Sequence, residues 1–144
     1  RDPAVRRPGM DPGLERGQRM LTAAHIRAAL MKATALPLED EKRLQEVLLP
    51  EFEAQVSLSC DVVREYRIGP GSIIDFAFIG RDWVFGLEVK TRTRAKRAVL
   101  RQVERYAQTG VLDHLFVLTA TALGLPRQLA GIGVDEISLG EVLL

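Results

Sequence analysis

The chain has 144 residues, 47% of them hydrophobic and 27% charged, and its net charge is +1. These proportions exclude a wholly disordered or fibrous chain, and the length suits one domain, which at about 150 residues hides roughly 70% of its unfolded surface. One cysteine, Cys60, excludes an intramolecular disulfide and a four-thiolate metal site, and the separated His25 and His114 argue against zinc chemistry. The longest apolar runs, such as Leu112 to Leu118, fall well short of the about 20 residues that span a bilayer, and no secretory signal is visible. A cytoplasmic protein with no membrane partner is the expectation.

Residues 1 to 19 hold three Pro, three Gly and five Arg with little apolar periodicity. They read as a flexible arm or a vector remnant outside the fold, with Met10 and Met20 as alternative starts. The single domain is placed at 20–144. Met20 to Lys32 carries helical spacing, and Pro37 closes that segment. A second helix is expected from Leu38 to Leu49, stopping at Pro50.

The period then changes. Val62–Ile68, Ser72–Ile79 and Trp83–Lys90 are β-branched and aromatic runs separated by Gly69-Pro70-Gly71 and Gly80-Arg81-Asp82, which predicts a three-stranded antiparallel meander. Ala95 to Gln108 returns to helical spacing, and His114 to Thr119 reads as a compact strand. Beyond Pro126, a short helix to Ala130 and a last strand near Val134 to Ile137 are expected. A long helix between the third and fourth strands acts as a crossover connection, so the fold class is α/β, with the order α-β-β-β-α-β and a mixed central sheet flanked by helices.

Asp75 interrupts Ile73-Ile74-Asp75-Phe76-Ala77-Phe78-Ile79, where an unpaired carboxylate is costly. Glu88 and Lys90 are two apart on a strand and share a face. A symmetric hairpin pairs Ile79 with Val84, Ala77 with Gly86 and Asp75 with Glu88, which opposes two like charges and calls for something positive between them. A divalent cation on hard oxygen ligands meets that need. In the preceding helix Glu41 falls near the centre of the stripe formed by Leu38, Leu44, Leu48 and Leu49, with Gln45 beside it. Gln102 interrupts the face of Val99, Val103 and Tyr106 in the same way.

Charge is uneven. From Lys90 to Arg105 stand Lys90, Arg92, Arg94, Lys96, Arg97, Arg101 and Arg105 against the single acid Glu104, whereas from Tyr106 onward there are four acids and only Arg127. One edge of the fold is therefore expected to be positive.

A helix acid, then Asp75, then Glu88-x-Lys90, then Gln102-x-x-x-Tyr106 resembles the PD-(D/E)XK nuclease superfamily, in a pattern close to archaeal Holliday junction resolvases and RecB-like exonucleases. The resemblance covers residues 38 to 119, and Ile74 stands where the family name has Pro. It implies a restriction-endonuclease-like core and a metal-dependent deoxyribonuclease. By that resemblance Asp75, Glu88 and the main-chain carbonyl of Val89 would bind Mg2+ or Mn2+, with Glu41 completing the site directly or through water. Lys90 would position or activate the attacking water, and Gln102 and Tyr106 would steady the active site or the scissile strand. Arg92, Arg94, Lys96, Arg97, Arg101 and Arg105 would track phosphates, with binding that weakens as salt rises. DNA is the expected partner, RNA stays open, and cutting two strands would favour a homodimer.

Plainer readings exist for each residue. Asp75 could be a strand-end acid, Glu88 and Lys90 a surface pair on an edge strand, and Glu41 a first-turn acid favoured by the helix dipole. Gln102 and Tyr106 could be core-edge residues with satisfied polar tips, and the arginines a solvated helix face. Trp83 and Cys60 read as structural. The rival function is a catalytically inactive nucleic-acid-binding module of the same fold in a repair or phage assembly; the third reading is a structural protein with coincidental acids.

Overall fold

The structure, a computed structural model, describes residues 21–33, 36–56, 60–92 and 95–142. The arm expected over 1–19 and Arg94 of the basic run lie outside the described residues. Among the described residues two helices come first, α1 (Ala23–Lys32) and α2 (Glu41–Val56), followed by β1 (Asp61–Gly69), β2 (Ser72–Ile79) and β3 (Val84–Lys90). Then come α3 (Lys96–Gln108), β4 (His114–Thr119), β5 (Gln128–Leu129), β6 (Ile132–Ser138) and the short α4 (Leu139–Val142). The fold is α/β with one mixed sheet in the order β1-β2-β3-β4-β6-β5. The first three strands form the antiparallel meander, and α3 carries the chain over to β4, which lies parallel to β3 and to β6.

Helix α2 runs through Pro50 rather than stopping there. A proline inside a helix costs about 3 kcal/mol. Leu44, Leu48, Phe52 and Val56, however, form one buried stripe, and seating Phe52 and Val56 returns about 1.5–3 kcal/mol each. Continuing the helix wins. The tail also differs from expectation. In place of a helix before Ala130 there is a hairpin between β5 and β6, turned by Ala130 (φ 47) and Gly131 (φ 85). Two successive left-handed residues make the two-residue turn whose twist suits a hairpin.

The central strands β2, β3 and β4 are largely buried on both faces. Against one lie α1 and α2, packing Ile26, Leu30, Leu48 and Phe52 on Phe76, Phe78, Leu87, Val89 and Phe116. Against the other lies α3, whose Val99, Val103 and Tyr106 meet Ile74, Ala77, Leu115 and Val117. Alternation along β2 breaks at Asp75, because Ile74 and Ala77 belong to the α3 side and Phe76 and Phe78 to the α2 side. In β1 the matching break falls at Glu65, which takes φ 51. Arg64 turns toward α2 and Tyr66 toward the α3 side, and the ladder passes from Arg64↔Phe76 to Tyr66↔Ile74 over Glu65 and Asp75. Gly86 makes room for the crossing, since a Cβ there would collide with Ile74.

No helix among the described residues is long and apolar enough to cross a membrane.

Candidate active site

The β2–β3 hairpin has the register expected from its turn: Ile79↔Val84, Ala77↔Gly86 and Phe76↔Leu87. The backbone ladder ends there. At the next position the two carboxylates take over its bonds, Asp75 Oδ2 accepting from the Val89 N–H at 2.7 Å and Glu88 Oε1 accepting from the Asp75 N–H at 3.1 Å. The break in alternation therefore splays the strands and places both acids in the gap, on the face that α3 covers.

Glu88 is 2% exposed and Asp75 half-buried. Burial, then the charge of Asp75 and the contact with its carboxyl, push the Glu88 carboxyl up to about 8, although Lys90 and the Asp75 N–H pull it back. Lys90 Nζ stands 3.5 Å from Glu88 Oε2. From α3 the Tyr106 hydroxyl lies 3.0 Å from the same Glu88 oxygen and 3.0 Å from the Ile73 carbonyl oxygen, while Gln102 Nε2 donates to the Tyr106 oxygen at 2.8 Å. One hydroxyl proton serves one acceptor at a time, so Tyr106 shares its donation between the β2 backbone and Glu88. Burial foremost, with the nearby Glu88 charge, raises the phenol above its ordinary value.

Comparison with known protein families, curated proteins and solved structures finds no match.

Asp75, Glu88, Lys90, Gln102 and Tyr106 thus meet at one place. Glu41 opens α2, is half-buried, and accepts from the Arg92 N–H at 3.2 Å. Just before it, the Leu38 carbonyl accepts from the Thr91 hydroxyl at 2.8 Å. These two bonds clamp the exit of β3 to the start of α2. Among the described residues no group of three or more His, Cys, Asp or Glu is gathered tightly enough to hold a metal ion, so Asp75 and Glu88 form a pair rather than a triad with Glu41. Gln45, beside Glu41 on the helix stripe, is buried and accepts from Arg64 Nη2 at 3.0 Å. The Val89 N–H is committed to Asp75, and the strand directs its side chain into the α2-side core.

Of the basic run, Arg92, Lys96, Arg97, Arg101 and Arg105 are exposed. Arg97, Arg101 and Arg105 recur every four residues on the face of α3 opposite Val99 and Val103, so they point away from the sheet. Arg92 and Lys96 flank the N-terminal end of α3, next in the chain to Lys90.

Two polar arrangements escaped the sequence reading. Glu136 on β6 accepts from the Thr119 hydroxyl at 2.9 Å and from the Leu123 and Leu125 N–H groups at 2.5 and 3.0 Å. The signal was present in Val134, Glu136 and Ser138, which share one face of a strand by twofold alternation. His114 meets Asp135 at 2.8 Å, and its ring packs against Phe85 and Phe116. Trp83 and Cys60 are buried, as expected of structural residues.

Proposed function

We propose that the chain is a divalent-metal-dependent nuclease of the PD-(D/E)XK type, with a restriction-endonuclease-like core, that hydrolyses phosphodiester bonds in DNA. The observation that carries this reading is the pair of carboxylates, one of them fully buried, set in a strand gap with an ammonium 3.5 Å from the buried one. Keeping two acids this close costs stability unless a cation belongs between them.

The donor set fits a magnesium-like ion. Such ions keep several waters and use only one or two protein carboxylates, so the pair of Asp75 and Glu88 suffices, with the Val89 carbonyl as a further oxygen and Glu41 reaching the site through water. A cation bound there supplies Lewis acidity toward the phosphoryl oxygen and lowers the pKa of water. The chain's own residues do the rest. Lys90 orients the attacking water and offsets charge on the phosphate. Tyr106, oriented by Gln102, holds the Glu88 carboxylate in place through its hydroxyl and ties it to the β2 backbone at Ile73. Arg92 and Lys96 meet the phosphates nearest Lys90, and the outward stripe of Arg97, Arg101 and Arg105 contacts flanking nucleic acid.

One observation favours the rival, a nucleic-acid-binding module without chemistry: the carboxylates already accept backbone N–H groups, as structural acids do. Both readings meet one experiment, cleavage of labelled linear, circular, single-stranded and four-way-junction DNA with magnesium, manganese or EDTA, comparing the native chain with Asp75→Ala and Lys90→Ala. Metal-dependent cutting lost in both variants is the expected outcome. Salt-sensitive binding with no cutting in any metal would give the rival the stronger claim.

A further inference from the structure

Glu136 lies on the sheet face that α3 covers, two strands from Glu88 in the same row, since Glu88 pairs with Val117 and Val117 with Glu136. It is the anchor of the connection that leaves β4. Its carboxylate receives the Leu123 and Leu125 N–H groups and the Thr119 hydroxyl, and Thr119 is the register partner of Lys90. The anchored loop turns at Gly124, with φ +70, and the Lys96 ammonium lies 3.6 Å from where a Cβ on Gly124 would stand. The strands β3, β4 and β6 are parallel, so this loop emerges at the same carboxyl end of the sheet as Lys90. In parallel sheets that end is where ligands bind.

The loop's donors are turned inward onto Glu136, and among the described residues Lys96 brings an ammonium to this part of the rim. From this geometry we infer that Glu136 is a positioning residue for the substrate: it fixes the 121–125 loop against which Lys96 rests, and so holds that ammonium at a set distance from Lys90 to receive a backbone phosphate of the nucleic acid. This rests on the nuclease reading. It adds to that reading a second wall for the substrate, on the β4–β6 side, and a carboxylate that neither binds metal nor touches substrate.

The test is a double-mutant cycle on the full chain, with steady-state cleavage of the DNA that the native chain cuts best, for Glu136→Gln, Lys96→Ala and the two combined. Each single change is expected to raise KM about three- to tenfold, and the double change no more than the larger single one, because both remove the same phosphate contact. The effect on kcat should stay within about twofold. Lys96→Ala should also lower the salt slope of binding by about 0.9. If Glu136→Gln does not fold at the assay temperature, Thr119→Val weakens the same anchor more gently and takes its place in the cycle. Effects on KM that multiply, a loss carried by kcat, or a native KM in the Glu136 variant would each overturn the inference while leaving the nuclease standing. A native chain that cuts no nucleic acid would overturn both.

Discussion

Glu88 and Glu136 are the same residue type in the same row of one sheet face, with Val117 between them, yet their surroundings drive them in opposite directions. Burial raises the Glu88 carboxyl first, and Asp75 adds its charge on top, so it rises to about 8. Burial also raises Glu136, but the N–H groups of Leu125 and Leu123, the Thr119 hydroxyl and the Gly124 N–H outweigh it and hold the carboxyl below its ordinary value. Burial alone therefore assigns no role to an acid; the supply of donors does. Glu136 has its charge fully answered by its own chain. Glu88 faces a second acid and is answered only in part by Lys90, Tyr106 and one N–H, which is the condition that a bound cation would relieve.

The largest expected effect comes from removing the like charge. Asp75→Asn keeps an oxygen for the Val89 N–H and offers an amide N–H toward Glu88, so the metal-free chain should become more resistant to urea. Cleavage should nevertheless fall by more than about 100-fold, since even the outer-shell partners of metal ligands contribute about 10–100-fold. A variant that loses cleavage and also loses stability would show that Asp75 is a structural acid, and the contrast with Glu136 would collapse.

Next comes pH. Because the folded chain holds the Glu88 proton up to about 8 while the unfolded chain releases it near 4.5, native stability should fall as pH rises between those values and level off above. Glu88→Gln removes this slope. Its metal-free stability should match the native chain in acid and exceed it increasingly up to about pH 8, with magnesium stabilising the native chain alone. Equal pH profiles in urea titrations would contradict the assignment of Glu88 as the strained member of the pair.

Glu136→Gln should show the opposite sign. A carboxylate whose folded value is lowered contributes stability above its ordinary value and loses it as pH falls through the lowered one. Losing charge-assisted bonds to backbone N–H groups on this partly exposed side chain should cost about 1–2 kcal/mol at neutral pH, and the cost should fade in acid. The same urea titration, run from pH 7 downward, reads it.

Much of this arrangement was legible in the sequence because it rests on short-range rules. The Gly80-Arg81-Asp82 turn fixes the hairpin register, and alternation then puts Glu88 and Lys90 on one face opposite Asp75. Helical spacing likewise brings Gln102 and Tyr106 to one side of α3. What was not legible depends on packing across the fold. Helix α2 passes Pro50 because Phe52 and Val56 find a core to fill, and Glu41 turns to Arg92 because the loop after β3 folds back onto the start of α2. The Ala130-Gly131 turn lacks the Asn or Asp that marks such hairpins, and the role of Glu136 depends on a loop that returns to it from 11 to 13 residues away.

Thr119→Val is the smallest and sharpest change, because it tests how the donors around Glu136 share the work. Valine keeps nearly the shape of threonine and leaves no cavity, so packing beside Lys90 should hold. Only the hydroxyl bond to Glu136 is lost, and the Leu123 and Leu125 N–H groups remain, which limits the expected loss to roughly 0.5–1 kcal/mol. The pH slope assigned to Glu88 should be unchanged, since the ladder partner of Thr119 is Lys90 and that of Glu88 is Val117. A larger loss would mean that the hydroxyl, and not the loop backbone, holds the Glu136 charge. A changed Glu88 slope would mean that the two carboxylates are coupled across β4, and that the satisfied acid helps to set the strained one.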